Sequence, residues 1–174
     1  MKVELFSDRL RIRNIKKDDM AFLINLEKNP LVQKFRNFSL SDDDIIEMYL
    51  EEIESNDEEL KDNYVLMVER LLDNTVLGKI NISINSKYID EWEIGWIFHP
   101  EFWGNGYAVE ASKKVIEFFI NNLHVHRIIS ICDSKNIKSE NVMIRIGMKK
   151  ESCIQKAKFF KGSWHDEVIY SIEN

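Results

Sequence analysis

The chain has 174 residues, 44% of them hydrophobic and 31% charged. That is long enough to bury a core and too apolar for a disordered polymer. No apolar run approaches the ~18 residues of a membrane span, and 24 basic against 30 acidic residues, a net charge of −6, exclude the broad basic face of a general nucleic-acid binder.

The segment Met1-Lys2-Val3-Glu4-Leu5 lacks the long apolar stretch of a signal peptide, so a cytoplasmic protein is expected. The cysteines, Cys132 and Cys153, fit neither a zinc pattern nor a disulfide framework, and both are expected to be buried and reduced. With two prolines, no repeat and no low-complexity tract, residues 1–174 read as one domain.

Alternation of charged and apolar residues over 9–15 predicts a first strand. Asp18 and Asp19 open a helix with Phe22, Leu23 and Leu26 on one face, limited by Pro30. Ser41-Asp42-Asp43-Asp44 has the form of a capping box, ahead of Ile46, Leu50 and Ile53 at helical spacing. Strands are expected over 64–72 and 76–84, joined by a turn at Asp73-Asn74. In a further strand over 91–98, Trp92, Ile94, Trp96 and Phe98 share one face, and Glu91, Glu93, Gly95 and Ile97 the other. Residues 104–122 turn helical, with Ala108, Ala111, Val115 and Phe118 on the apolar stripe and Phe119 alongside. A strand over 126–132 and a short helix over 139–146 follow, with Gly147 as its C-terminal stop. Strands over 149–160 and 164–172, joined at Lys161-Gly162-Ser163, complete a mixed α/β domain with helices on both faces of one sheet.

The segment with most chemical content is His99-Pro100-Glu101-Phe102-Trp103-Gly104-Asn105-Gly106-Tyr107-Ala108. A hydrophobic strand runs into a glycine turn that opens an amphipathic helix. Free N–H groups and the partial positive charge of a helix N-terminus attract phosphate, and glycines let the backbone approach it. The turn lacks the third glycine of a dinucleotide fingerprint and the Lys-Ser/Thr of a P-loop.

Glu93-Ile94-Gly95-Trp96, followed by Pro100-Glu101-Phe102-Trp103-Gly104-Asn105-Gly106-Tyr107-Ala108-Val109-Glu110-Ala111, resembles the GNAT superfamily of N-acetyltransferases, within it the RimJ/RimL-like branch. Arg9-Leu10-Arg11-Ile12-Arg13, His126-Arg127-Ile128, Asn136, Ser139, Gly147-Met148 and Lys161-Gly162-Ser163-Trp164-His165-Asp166 match further motifs in the same order, so the resemblance covers nearly the whole chain. It implies a mostly antiparallel sheet that splays in the middle, with acetyl-CoA as co-substrate in the gap. On that resemblance Trp103, Gly104, Asn105, Gly106, Tyr107 and Ala108 hold the pyrophosphate, and pantetheine lies along Ile97 and Phe98. Asn136 and Ser139 border its thiol end, and the amine enters from the opposite side.

The implied reaction is direct attack of a neutral amine on the thioester in a ternary complex. A lysine-like amine has a pKa of about 10.4 and an α-amino group about 8, so a base or a water chain is needed. Glu93 is the candidate, with Glu91 as a weaker version; the competing reading is a sheet-face carboxylate paired with a cation. A backbone N–H of the strand before the turn is the oxyanion donor. Ser139 is a candidate to assist the leaving thiolate, or simply caps its helix. Many relatives outside this branch have a tyrosine acid four residues before the glycine of that motif; here the position is Met143. An acyl-enzyme at Cys132 is weighed against an inert buried thiol. His126 reads as structural, His165 and Trp164 as possible acceptor contacts, and Lys113, Lys114 and Lys138 as partners for the 3′-phosphate. No metal site is expected.

The resemblance suggests a protein N-terminal α-amino group as acceptor. A polyamine or aminoglycoside is the small-amine alternative, a non-catalytic acyl-CoA-binding module the alternative of another class, and an acyl group larger than acetyl is a third. A homodimer is the base-rate assembly.

Overall fold

The computed structural model describes residues 1–36, 40–57 and 61–173. Eight strands form one sheet in the order β1-β2-β3-β4-β5-β6-β8-β7. They are β1 (Glu4–Phe6), β2 (Leu10–Asn14), β3 (Asn63–Arg70), β4 (Val76–Ser86), β5 (Glu91–Phe98), β6 (Arg127–Asp133), β7 (Lys149–Phe160) and β8 (Ser163–Glu173). Every neighbouring pair is antiparallel except β5 and β6. The helices are α1 (Met20–Lys28), α2 (Asp42–Glu54), α3 (Tyr107–Leu123) and α4 (Ile137–Ile146).

The helices cover both faces, as the alternation in the strands requires. On one face α1 and α2 bury Leu23, Ile45 and Tyr49 against Val65 and Met67 of β3. On the other, α3 and α4 bury Ala111, Val115, Phe119, Met143 and Ile146 against Leu66, Ile80, Ile82 and Ile94. The sequence-predicted strands and helices are all present, with ends that match or shift by at most three residues. One element was not expected: β1 has three residues, too few for a periodic signal, and pairs with β2 from Glu4↔Arg13 to Phe6↔Arg11.

Ser41 does cap α2. Its Oγ accepts from the Asp44 N–H at 3.2 Å, and Asp44 Oδ2 accepts from the Ser41 N–H at 2.9 Å. The face expected to be buried is corrected. Ile45, Tyr49 and Glu52 form the buried stripe, while Ile46, Leu50 and Ile53 flank it half-exposed. Glu52 hides that stripe from a hydrophobic pattern, because a carboxylate occupies a core position. It is compensated there by Lys61 and by the side chain of Asn63 at 2.7 Å. In α3 the stripe is Ala111, Ser112, Val115, Ile116 and Phe119, with Ala108 and Phe118 only half-buried.

The feature that positions the site is the β5–β6 seam. These parallel strands pair only at Glu91↔Arg127, Trp92↔Ile128 and Glu93↔Ile129. Beyond Glu93 they part, although β5 continues to Phe98 and β6 to Asp133. Below the fork Arg127 fastens the seam, with Nε 2.7 Å from Glu91 and Nη1 2.8 Å from Glu173 of β8.

Candidate active site

The parted strands bound a cleft of about 1030 Å³. Gly95, Trp96, Ile97 and Phe98 line one wall, and Ser130, Ile131, Cys132 and Asp133 the other. The edge of β5 along this gap has unused backbone groups. The His99 N–H donates to Leu77 O in β4 at 2.9 Å. Alternation in an antiparallel ladder then turns the peptide groups of Phe98 and Trp96 away from β4, toward the gap. Phe98 O, pointing that way, accepts from Trp103 Nε1 at 2.7 Å. Close approach of β4 keeps this edge in place: a Cβ on Gly78 would stand 2.3 Å from Ile97 O.

At the end of β5 the chain makes one helical turn over Pro100–Phe102 and enters the glycine turn. Gly104 has φ +82° and Gly106 +79°, the left-handed region that favours glycine, and Gly106 is the N-cap of α3. The N–H groups of Gly104, Asn105, Gly106, Tyr107, Ala108 and Val109 have no acceptor among the described residues, and Glu110 is the first to bond back, to Gly106 O at 3.1 Å. Six N–H groups without an acceptor thus cluster at a helix N-terminus beside an open strand edge, an arrangement that suits an anion. Lys138 Nζ stands 4.2 Å above the Trp103 ring and lines the same cleft, whereas Lys113 and Lys114 do not line it.

Across the gap Asn136 caps α4, its Oδ1 accepting from the Ser139 N–H at 3.3 Å. Capping thus belongs to Asn136 and not to Ser139, and α4 begins two residues earlier than its apolar pattern suggests. The Ser139 side chain lies beside the Cys132 thiol and favours its ionised form. Burial, with Glu140 nearby, pushes that thiol up to about 11, so Cys132 is protonated at neutral pH and poorly suited to attack a thioester. Met143 is fully buried in the core. Cys153, expected to be buried, is exposed, because the first eight residues of β7 are solvated.

Glu93 occupies the last β5–β6 rung, immediately below the fork. It does not itself line the cleft, whose wall starts at Gly95. Burial pushes its carboxyl above the ordinary value, and Glu167 and Glu91 add to the shift. Glu91 is in an ion pair with Arg127, so of the two only Glu93 lacks a cation among the described residues.

Two clusters of buried polar groups carry no signal in the sequence pattern. Fully buried Asp133 holds His165 Nδ1 at 2.5 Å, and His165 Nε2 meets Ser163 Oγ at 2.9 Å. Asp133 lies 32 residues from His165, and only the β6–β8 pairing brings them together. Glu27 of α1, also fully buried, accepts from Tyr49 at 2.5 Å and pairs with Lys79 at 2.9 Å and with Arg36. Although burial opposes it, Lys79 and Arg36 hold the Glu27 carboxyl below its ordinary value. Trp164 is exposed against Phe159 and does not line the cleft; the His126 backbone N–H binds Asp90 on the surface.

The GNAT acetyltransferase domain model matches residues 9–149. The chain belongs to the GNAT family. It is an N-acetyltransferase that uses acetyl-CoA as co-substrate. It is 40% identical to the uncharacterised N-acetyltransferase YnaD of Bacillus subtilis over 88 residues, 49% of this chain and 52% of that protein. With the uncharacterised N-acetyltransferase YoaA of the same organism it shares 25% over 170 residues, 97% and 95% of the two. The Escherichia coli ribosomal protein uS5-alanine N-acetyltransferase is 25% identical over 79 residues, 45% of this chain and 41% of that one. A GNAT-family acetyltransferase from Bacillus anthracis superposes with TM-score 0.87 at 25% identity over 98% of both chains. A Vibrio cholerae spermidine N-acetyltransferase, solved with CoA and spermine, superposes at 0.84 with 20% identity over 96% of each.

Proposed function

We propose that residues 1–174 form one cytoplasmic acetyltransferase domain that acetylates a protein N-terminal α-amino group. The observation that favours this acceptor is the state of the carboxylates around the acceptor side of the cleft. Glu27 is paired with Lys79 and Arg36, Glu167 with Lys158 at 3.0 Å, and Asp133 with His165. A polyamine carries several positive charges and calls for carboxylates without partners. Here Glu93 alone of this group lacks one among the described residues, and one carboxylate suits one amine. The name of the uS5-alanine relative agrees with a peptide acceptor; the name of the spermidine enzyme favours the small-amine reading, which rests on 20% identity.

In this reading the N–H groups from Gly104 to Ala108 hold the pyrophosphate, the Trp103 N–H being taken instead by Pro100 O at 3.2 Å, and the edge at Ile97 and Phe98 pairs with pantetheine. Asn136 keeps its side-chain N–H₂ for the pantetheine amides, since only Oδ1 serves as the cap. Glu93, one rung below the wall, receives the amine proton through water, and its raised pKa brings it closer to that task. A gap-facing N–H of β5 steadies the oxyanion, and Ser139 stands where the sulfur leaves. Binding supplies the proximity that makes the attack effectively intramolecular.

The test is calorimetric titration with acetyl-CoA, then thiol release with a panel of free N-terminal peptides, their Nα-blocked forms, spermidine and an aminoglycoside. Free peptides are expected to turn over at least tenfold faster than spermidine, and blocked peptides not at all. The reverse order overturns the acceptor, and binding without turnover of any amine leaves an acyl-CoA-binding module. In parallel, replacing both Gly104 and Gly106 by Val is expected to abolish binding in a protein that still folds; unchanged affinity removes the pyrophosphate site.

A further inference from the structure

Arg9 stands at the start of β2, outside the glycine turn, yet it is fastened to that turn from behind. Its Nη2 donates to Asn105 O at 3.2 Å. Its Nε donates to Glu110 Oε2 at 2.7 Å, and Nη2 lies 2.6 Å from the same oxygen. Glu110 Oε1 accepts from the Arg9 N–H at 3.0 Å and from Ser7 Oγ at 2.8 Å. The guanidinium rests 4.7 Å from the Tyr107 ring centroid.

The C=O and N–H of a planar trans peptide point in opposite directions. A guanidinium on Asn105 O therefore turns the Gly106 N–H away from Arg9, to the outer side of the turn. Asn105 does the same two peptides earlier: its Nδ2 donates to Trp103 O at 3.2 Å, which directs the Gly104 N–H away from the Asn105 side chain. Without such ties a peptide next to a left-handed glycine reverses at small cost, because glycine accepts both signs of φ. Reversed, the Asn105–Gly106 peptide would present a carbonyl oxygen to the phosphates. Glu110 adds a second requirement. It lies in the first turn of α3, where an uncompensated carboxylate repels a bound anion. Its pairing with Arg9 removes that repulsion while fixing the direction of the guanidinium.

We propose that Arg9 and Glu110 form a latch that holds the Asn105–Gly106 peptide with its N–H toward the pyrophosphate, which makes Arg9 a positioning residue for acetyl-CoA. The inference rests on the pyrophosphate site proposed above. Titration calorimetry of the ligand-free protein tests it with Arg9→Met and Glu110→Gln. Each is expected to weaken acetyl-CoA binding about tenfold, the scale of one charge-assisted hydrogen bond. The double variant is expected to be little weaker than either single one, because both break one device. For Arg9→Met, kcat/KM for acetyl-CoA is expected to fall about tenfold relative to that for S-acetylpantetheine, which has no pyrophosphate. A purely structural role lowers both thioesters together, and that result, or an unchanged Kd in both single variants, overturns the latch. Should Arg9→Met not fold, the near-isosteric Glu110→Gln carries the same comparison. Loss of binding in the double glycine variant with full binding in the latch variants defeats the latch alone. Full binding in the double glycine variant defeats the site beneath it.

Discussion

Glu93 is kept partly out of water beside Glu91 and Glu167, and its carboxyl is raised accordingly. Proton linkage gives two consequences of opposite sign. For folding, a raised carboxyl pKa means that the neutral form is favoured in the native state. Its contribution is fully present below the unfolded value near 4.5 and is lost as pH rises through the higher folded value. Glu93→Gln is therefore expected to raise Tm at pH 7, with the gain vanishing toward pH 4; a lower Tm at pH 7 would show that Glu93 has a stabilising partner in solution. For turnover, kcat/KM is expected to fall as pH drops through the raised Glu93 value, and Glu93→Gln to lose that limb with about 10²-fold lower activity. At Cys132, a thiol at about 11 leads to a different expectation. Cys132→Ala should retain turnover at neutral pH, and intact-mass analysis during turnover should detect no acetylated enzyme.

Among the elements, β4 limits how far β5 can move, and Gly78 is the point of closest approach. A methyl group there meets Ile97 O, Phe98 Cα and the Phe98 ring, all within 2.9 Å. Gly78→Ala is expected to cost about 2 kcal/mol in urea unfolding, in the range of overpacking substitutions, and to weaken acetyl-CoA binding by displacing Ile97 and Phe98. The strands, the capping box and the glycine turn were legible because each obeys a local rule: alternation, a four-residue cap, a strand-to-helix junction. Where function or folding places a polar residue in the interior, the local rule fails. Glu52 interrupts the buried stripe of α2, and Asp133 meets His165 only through pairing of strands distant in sequence. The capping role of Asn136 was masked for another reason, since an Asn before a helix suits cap and ligand contact equally. Arg9 could be matched to a motif, but nothing in its neighbours signals a partner 101 residues away.

On the scale of the molecule, the sheet consists of two antiparallel halves joined by three rungs between β5 and β6. A ligand that pairs along the open part of the seam ties those halves together. Acetyl-CoA at about 100 times its Kd is expected to stabilise the fold by about 2.7 kcal/mol, read as a concentration-dependent rise in Tm. Hydrogen exchange locates the effect. Amides of Trp96 and Phe98, which face the gap, should exchange readily in the free protein and slowly in the complex. The Leu66 and Ile80 amides, within the paired β3–β4 sheet, should change little. Equal protection throughout would indicate global stabilisation without pairing along the seam.

That open edge bears on how the family diverges. Recognition through main-chain N–H and C=O groups depends on the course of a strand more than on its side chains, so a substitution along β5 that keeps this course is expected to leave the ladder a ligand pairs with. The chain shares its backbone path at TM-score 0.87 with a protein only 25% identical to it, so that path is kept where most of the amino acids differ.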